Sequence, residues 1–245
     1  MLLPDGAYRV TVIFTSGDTD FAGRVDGRAL LRRFQDAAGD HFEALPLGRD
    51  VAVAHGCFWA AVRTAVEIYR TPPTGLALTL ETWPNRPSHG LFPRHYVLTD
   101  QKGEILLRGV SVWVLMDMET RTLSRDRDWI PPSAGLSRPG ELSVPRRIRI
   151  PEGLTGKCTR TVTAEEADVN GHLNNAEYLR WGEDLADGEL AAARRLRRFE
   201  IEYKKELPLG AAAELTYMTE GGSLFVRGRS NDSEAFLMRC DYDPI

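Results

Sequence analysis

Apolar and polar residues alternate along much of the chain, a pattern typical of β-strands with one buried face. Residues 76–83 and 104–116 are two β-rich stretches of this kind, and residues 99–104 read as a turn between strands. In residues 60–68, alternate positions place one set of side chains on a common face: Ala60, Val62, Thr64, Val66 and Ile68.

Two segments have a different period and predict helices. In residues 27–45 the apolar positions recur at spacings of three and four, which indicates an amphipathic helix with Asp26 as its N-cap. These positions are Leu30, Leu31, Phe34, Ala38, His41, Phe42 and Leu45. A second helix is predicted to begin near Asn174, with an apolar face formed by Tyr178, Trp181, Leu185 and Leu190.

A stretch rich in Pro, Gly, Ser and Arg, residues 131–154, interrupts these patterns and reads as a linker. After it the order of elements begins again, with a short strand, the second helix and further strands. The β-rich segments of this part are 157–164, 198–205, 211–218, 223–230 and 235–242. The sequence therefore predicts an N-terminal unit over residues 1–130 and a C-terminal unit over residues 155–245.

The two units are copies of one pattern. Residues 19–32 align with residues 167–180 at an offset of 148 positions, and residues 66–75 align with residues 201–210 at an offset of 135. The first alignment matches Asp20 with Asp168, Gly23 with Gly171, Val25 with Leu173, Asp26 with Asn174, Leu31 with Leu179 and Arg32 with Arg180. This order predicts an α+β fold. Each half is a curved antiparallel sheet wrapped around one long helix, and the halves pack side by side as a pseudo-dimer.

The copies differ at positions that can carry chemistry. Asn170, His172 and Glu206 of the second copy stand opposite Ala22, Arg24 and Thr71 of the first, and only the aspartate, Asp20 or Asp168, is present in both. Residues needed for folding should persist in both copies, whereas residues needed for one reaction can survive in one. The stretch from Asp168 to Trp181 is therefore the candidate active site.

Composition and charge argue against several classes of function. The chain has 245 residues, of which 42% are apolar and 27% charged, and its net charge of −4 gives no case for nucleic-acid binding. Three widely spaced cysteines argue against a disulfide framework or a zinc site and favour a reducing cytoplasm. No signal peptide, membrane-spanning run, phosphate loop or dinucleotide fingerprint is present. We therefore expect a cytoplasmic protein with no membrane insertion, no metal and no cofactor.

Residues 167–181, Ala-Asp-Val-Asn-Gly-His-Leu-Asn-Asn-Ala-Glu-Tyr-Leu-Arg-Trp, resemble the signature of the acyl-acyl-carrier-protein (acyl-ACP) thioesterases. In that family an Asp-x-Asn-x-His run opens the helix of the second of two hotdog units. A glutamate follows in a Tyr-basic-basic-Glu strand, which here runs from Tyr203 to Glu206. The N-terminal half is also similar, with features in the family's order at residues 34–42 and 80–84. The resemblance implies a tandem (double) hotdog fold, with an acyl-chain-binding first half and a catalytic second half.

The chain departs from the plant members of that family at one position. They carry a cysteine directly after the glutamate, whereas this chain has Leu207. We therefore expect attack by water without a covalent cysteine intermediate. The N-terminus resembles no transit peptide, which favours a bacterial type of the family.

Thioester hydrolysis needs a stabilised oxyanion and a poised water. A helix beginning near Asn174 offers backbone N–H groups, so those of Leu173 and Asn174 are the candidate oxyanion donors. Four side chains are candidates for the catalytic work: Asp168, Asn170, His172 and Glu206. Our hypothesis is that Glu206 polarises the water, that Asn170 and His172 bind water and thioester, and that Asp168 orients its neighbours. The roles of Glu206 and His172 could be exchanged, because a histidine titrates near neutrality and a desolvated glutamate can be brought there.

The resemblance implies acyl carrier protein as the partner that carries the substrate, and it leaves a homodimer open. Acyl carrier protein is acidic, so basic clusters are candidates for docking it. These candidates are Arg194, Arg195, Arg197, Arg198 and Lys204. Three alternatives to an acyl-ACP hydrolase remain: an acyl-CoA thioesterase on the same fold, a hotdog dehydratase or hydratase, and an inactive acyl-binding module.

Overall fold

The computed structural model describes residues 1–45, 47–131, 135–136, 138–140, 142–186 and 194–244, with the side chain of Arg194 outside the description. The strands are β1 Tyr8–Val12, β2 Cys57–Ile68, β3 Leu78–Pro84, β4 Phe92–Thr99, β5 Ile105–Asp117, β6 Gly156–Thr161, β7 Arg194–Tyr203, β8 Ala212–Glu220, β9 Ser223–Ser230 and β10 Ser233–Pro244. The helices are α1 Gly27–Ala44, α2 Arg49–Ala54 and α3 Asn175–Glu183, with a 3₁₀ turn at Ser16–Asp18.

The strands form one antiparallel sheet in the order β1-β3-β4-β5-β2-β7-β10-β9-β8-β6, which is symmetric about the β2–β7 pair. Ala65 pairs with Glu200, its own counterpart at the offset of 135, so the pseudo-twofold axis passes through this pair. β2 and β7 also carry a bulge at the same place. Val62 is skipped in the pairing with β5, and its counterpart Arg197 is skipped in the pairing with β10. The sheet therefore has the duplicated architecture that the repeat predicts.

The bulge also explains why the alternation predicted for β2 holds only in part. From Thr64 onward, Thr64, Val66 and Ile68 are buried as expected, although Ala65 is buried too. Because Val62 is the extra residue of a bulge, the side chains before it are displaced from the common face. Ala60 and Val62 are accordingly only half-buried.

Both long helices begin at the predicted caps. The Asp26 carboxylate accepts the Ala29 N–H at 2.6 Å, and the Asn174 side-chain oxygen accepts the Ala176 N–H at 2.9 Å. α3 has 9 residues against 18 in α1. Leu185, predicted on its apolar face, packs against the core just beyond the helix end, and Leu190 lies outside the described residues.

The start of α1 lies against the end of α3, where Gly27 approaches Leu179 and Glu183. A Cβ at Gly27 would clash with Leu179, so glycine is required for this approach. Arg32 of α1 donates to the fully buried Glu177 of α3 at 2.5 Å. One hydrophobic core spans both halves, joining residues such as Phe34 and Trp181. The halves are therefore fused through their interior as well as through the sheet.

The connecting stretch lies against the sheet. Its described residues form no helix and only an isolated bridge, Leu136 with Asn85. The Leu136 N–H donates to the Pro84 carbonyl at 2.8 Å, and the Ile148 N–H donates to the Glu202 carboxylate at 3.1 Å. The division at residues 130 and 155 stays a prediction. No helix within the described ranges is long and apolar enough to cross a membrane.

Candidate active site

The Asp168 carboxylate folds the motif into a tight loop. Its Oδ1 accepts the backbone N–H of Asn170 at 2.8 Å and that of His172 at 3.3 Å. The Asp168 N–H in turn donates to the His172 carbonyl at 2.8 Å. Gly171 has φ = 76°, a left-handed conformation that favours glycine. Asp168 therefore sets the backbone path that leads into α3.

A short backbone pairing brings Glu206 to this loop. The Leu173 N–H donates to the Leu207 carbonyl at 2.7 Å, and the Leu209 N–H donates to the Gly171 carbonyl at 2.9 Å. Glu206 Oε2 consequently lies 3.7 Å from His172 Nδ1. These two side chains, 34 positions apart in sequence, form the centre of the candidate site.

Glu206 does not lie on a strand, contrary to the sequence-based expectation. β7 ends at Tyr203, because the N–H groups of Lys204 and Lys205 both donate to the Ala235 carbonyl, at 2.9 and 3.1 Å. That double donation ends the regular ladder with β10. Glu206 is therefore carried by the connection after the strand, which the pairing at Leu207 and Leu209 holds in place.

Arg121 is a member of the cluster that sequence reasoning missed. It lies in the turn after β5 with φ = 55°, its guanidinium stands 4.6 Å from the centre of the Phe58 ring, and it donates to Glu206 Oε2. The ion pair compensates the charge of a carboxylate that is 43% exposed, beside an imidazole that is 29% exposed. Arg121 comes from the first half and reaches Glu206 only through tertiary packing, so no local motif marks it.

Asn170 lies at the same loop, where its side chain contacts Asp168. It is exposed, and its Nδ2 is 3.4 Å from Asp168 Oδ2. The structure thus brings all four candidate side chains into one region, with His172 and Glu206 facing each other and Asn170 resting on Asp168.

The two backbone groups expected to form an oxyanion hole are both occupied. The Leu173 N–H is used by Leu207, and the Asn174 N–H donates to the Glu166 carbonyl at 2.9 Å. Neither group, as it stands, can donate to a thioester oxygen, because each is consumed in holding the loop in place. The next N–H group along the chain, one residue later, is a further candidate donor because Asn174 is the N-cap of α3. Asn175 is the first helical residue, and its N–H has no acceptor within the helix.

A small cavity of about 20 Å³, room for about one water, lies at this end of α3. All of its lining residues except Asn175 and Tyr203 belong to the first half. They are Leu31, Phe34, Gln35, Ala61, Thr64, Tyr96, Ser111 and Trp113. A larger cleft of about 460 Å³ lies instead at the first copy of the motif, where Asp20, Arg24, Thr71, Glu183 and Arg195 are among the lining residues.

The basic residues predicted to dock a carrier do not form one surface around the site. Arg197 pairs with Asp243 at 3.1 Å, Arg198 pairs with Glu67 and Glu200, and Lys204 pairs with Glu234. Arg195 lines the cleft at the first copy of the motif, and the side chain of Arg194 lies outside the described residues. Only Lys204 is close in sequence to Glu206, so carrier docking at these residues stays a prediction.

The described residues contain no group of three or more His, Cys, Asp or Glu side chains placed to hold a metal ion. Cys57, Cys158 and Cys240 are unpaired thiols. The groups that meet at the candidate site are the His172 imidazole, the Glu206 carboxylate and the Arg121 guanidinium, and the loop that carries His172 leads into the start of α3.

Comparison with known proteins extends this picture. The family model of the acyl-ACP thioesterase N-terminal domain matches residues 6–130, and that of the C-terminal domain matches residues 159–237. The chloroplastic acyl-[acyl-carrier-protein] hydrolase FATB3 of Cuphea viscosissima is 28% identical over 191 residues, covering 72% of this chain and 46% of that protein. A dodecanoyl-[acyl-carrier-protein] hydrolase of Cinnamomum camphora is 24% identical over 215 residues, covering 80% of this chain and 55% of that protein. The chain spans about half the length of the curated relatives it matches.

Solved structures show the same fold. An acyl-ACP thioesterase from Bacteroides thetaiotaomicron matches with a TM-score of 0.87 at 21% identity, covering 97% of this chain and 98% of that one. The 12:0-ACP thioesterase from Umbellularia californica matches with a TM-score of 0.88 at 21% identity, covering 98% of both chains. The tandem hotdog fold is thereby confirmed. Since the two domain matches together cover most of its residues, the chain belongs to the acyl-ACP thioesterase family.

Proposed function

We propose that this protein hydrolyses fatty acyl-ACP thioesters to a free fatty acid and holo-ACP. The observation that carries the proposal is the approach of His172 Nδ1 to Glu206 Oε2, 3.7 Å, beside the N-terminus of α3. Family membership supports the substrate class, and both plant relatives are named as acyl-carrier-protein hydrolases. The imidazole and the carboxylate can share a water molecule between them, which hydrolysis requires.

The reaction needs no covalent intermediate. Water adds to the carbonyl carbon while its proton passes to Glu206 or His172, and the C–S bond then breaks as the departing sulfur takes up a proton. Arg121 donates to Glu206 Oε2 and holds this carboxylate beside His172. Leu207, buried directly after Glu206, offers no nucleophile.

Oxyanion stabilisation falls to the first helical N–H of α3, that of Asn175, in place of those of Leu173 and Asn174. This group lies at the positive end of the helix dipole, where developing negative charge is favoured. Asp168 acts on the reaction through the loop that it folds. Asn170, exposed beside that loop, is placed to bind water or thioester once its contact with Asp168 is exchanged.

The acyl chain is proposed to enter between α1 and the sheet of the first half. The residues of the small cavity support this path, since all but two come from that half. A cavity of about 20 Å³ cannot hold an acyl chain, so side chains such as Phe34, Tyr96 and Trp113 must move to admit it. Each methylene then buried contributes about 0.8 kcal/mol.

Thiol release from acyl-ACP and acyl-CoA of matched chain length tests the function. We expect faster turnover of acyl-ACP, with a rate that falls as salt is raised, because an acidic carrier is attracted electrostatically. Absence of thiol release from both substrates would refute the proposal. Faster turnover of acyl-CoA would mean that the substrate is a coenzyme A thioester instead of acyl-ACP. A burst of thiol equal to the enzyme concentration would contradict direct attack by water. The cytoplasmic location and the homodimer stay predictions.

A further inference from the structure

The N-termini of the two long helices are related by the repeat, and each faces a side chain of the other helix. Gly27 opens α1 and Asn175 opens α3, at the offset of 148. Glu183, on α3, lies against the start of α1, and its counterpart Gln35, on α1, shares the small cavity with Asn175. The same geometric position is therefore filled by a carboxyl group in one copy and by a neutral amide in the other.

Glu183 occupies the tip of α1. Its Oε2 lies 3.2 Å from the place that a Cβ on Gly27 would take. Burial raises the pKa of Glu183 to about 8, with Asp26 adding to the increase, while the Gly27 N–H acts in the opposite direction by favouring the carboxylate. A protein oxygen thus stands at the first helical N–H of α1. A thioester oxygen would have to displace it, and Arg24 and Thr71 replace the catalytic pair there.

The tip of α3 is arranged differently. Gln35 is half-buried and lines the cavity together with Asn175, Thr64 and Tyr203. A glutamine side chain can donate two hydrogen atoms, whereas a glutamate at the same place would set an oxygen against the helix N–H, as Glu183 does at α1. The cavity, with room for about one water, is large enough for one carbonyl oxygen.

Resting on the function proposed above, we infer that Gln35 is a catalytic residue of the site at α3. Its side-chain amide donates a hydrogen bond to the thioester oxygen, opposite the N–H of Asn175. Because an amide can donate to the substrate, the tip of α3 stays open to a thioester oxygen, in contrast to the tip of α1, where a Glu183 oxygen stands. The first half therefore contributes a side chain to the chemistry as well as a wall for the acyl chain.

Steady-state kinetics of Gln35→Met and Gln35→Glu test this inference. Methionine has a similar size but no donor, so we expect kcat to fall by about 10²–10³-fold, the usual effect of losing one oxyanion donor, with a smaller change in KM. Gln35→Glu should lose at least as much, because its carboxylate takes the place of the substrate oxygen. The matched control is Glu183→Gln, which should leave kcat unchanged.

Several outcomes would overturn the inference. Wild-type kcat in Gln35→Met would show that no donor was lost, and wild-type kcat in Gln35→Glu would show that a carboxylate does not close the tip. An equal loss of kcat in Glu183→Gln would show that the two tips do not differ. Should Gln35→Met fail to fold, Gln35→Asn retains the amide but withdraws it by one methylene, and the same fall in kcat is expected. If the wild type itself releases no thiol, the proposed function fails; if it does and Gln35→Met matches it, this inference alone fails.

Discussion

The two copies of the motif loop have the same backbone but different chemistry. Asp20 accepts the N–H groups of Ala22 and Arg24 at 2.8 and 3.0 Å, as Asp168 accepts those of Asn170 and His172 at 2.8 and 3.3 Å. Gly23 and Gly171 have φ of 75° and 76°. Persistence of the aspartate in a copy without the histidine and glutamate shows that its hydrogen bonds serve the loop. A residue shared by both copies is thus explained by folding before catalysis is considered.

The side chains beyond that shared backbone are used in opposite ways. Arg24 turns back to its own loop, where it forms an ion pair with Asp20 at 2.8 Å. His172 instead faces Glu206, which is held by Arg121 from the other half. The arginine of the first loop therefore pairs with the aspartate of that loop, whereas the histidine of the second faces a glutamate from outside its loop. The difference lies in the side chains and their partners, because the hydrogen bonds that the aspartate makes within each loop are the same.

The largest expected effect is on turnover. We expect Glu206→Ala and His172→Ala each to lower kcat by about 10²–10⁴-fold, the usual contribution of a positioned acid or base. The matched changes in the first copy, Thr71→Ala and Arg24→Ala, should leave kcat near the wild-type value. Thiol release measured on all four variants at one pH checks this.

Unfolding curves of the same variants are the control, because a variant that is inactive through misfolding says nothing about catalysis. Near-wild-type rates in both Glu206→Ala and His172→Ala would refute the assignment of the second copy. A large loss in Thr71→Ala, in a folded protein, would mean that the cleft at the first copy takes part in the reaction.

Features fixed by neighbouring residues could be predicted from the sequence. Both helix caps, the turn at residues 99–104 and the pairing of the two motif copies depend on hydrogen bonds within a few positions. An N-cap such as Asp26 or Asn174 is recognisable because its side chain bonds to the residue two or three positions later. The approach of Glu206 to His172 followed from the family resemblance, since the two lie on different elements.

Features fixed by packing between distant segments were missed. Arg121 reaches Glu206 across 85 positions of sequence. The Leu173 and Asn174 N–H groups, expected as oxyanion donors, are occupied by Leu207 and Glu166, and these partners become known only when the loop is folded. Sequence periodicity gives the face of an element but does not identify the atoms that meet across it.

Helix–sheet packing gives a second comparison, in which the two halves reverse the positions of the large and small residues. In the first half Phe34 of α1 packs on Gly109 of β5, and in the second Gly182 of α3 packs under Met238 of β10. Phe34 and Gly182 correspond at the offset of 148. Gly109 and Met238 correspond because they pair with Val66 and Ile201, which are counterparts at the offset of 135. A Cβ on either glycine would clash with the large side chain opposite. Each contact thus pairs one large and one small residue, but the large residue comes from the helix in the first half and from the strand in the second.

Gly109→Ala should therefore be more destabilising than Gly182→Ala. Phe34 is stacked on Tyr96 with ring centres 4.1 Å apart, so displacing it from Gly109 breaks that contact, and we expect a loss of about 1–3 kcal/mol for Gly109→Ala. Met238 is flexible, and alanine is a better helix former than glycine by about 1 kcal/mol, so Gly182→Ala should cost less. Urea unfolding of both variants measures the difference, and equal losses would contradict it.

Glu183 allows a third test, through pH. Its folded-state pKa is raised to about 8, chiefly by burial and next by Asp26, whereas the unfolded chain has the ordinary value of 4.5. Between these values the unfolded state releases a proton that the folded state keeps, so stability falls as pH rises, and the penalty is complete above about pH 8. Glu183→Gln removes this penalty. Its melting temperature should match the wild type near pH 4 and exceed it by a margin that grows up to pH 8. A difference in melting temperature that does not change with pH would refute the raised pKa of Glu183.

The smallest expected effect is at the helix caps, where the two halves should respond alike in stability and differently in activity. Asp26→Ala and Asn174→Ala each remove one side-chain acceptor from a helix N-terminus, which costs about 0.5–2 kcal/mol. Asn174→Ala should also lower kcat, because the end of α3 that it holds presents the Asn175 N–H to the substrate. Asp26→Ala should not, because the end of α1 is closed by Glu183 and binds no thioester oxygen. Paired measurements of unfolding free energy and kcat check both statements. A fall in kcat in Asp26→Ala equal to that in Asn174→Ala would mean that the two ends act together, and the separation of one structural and one catalytic helix end would then be wrong.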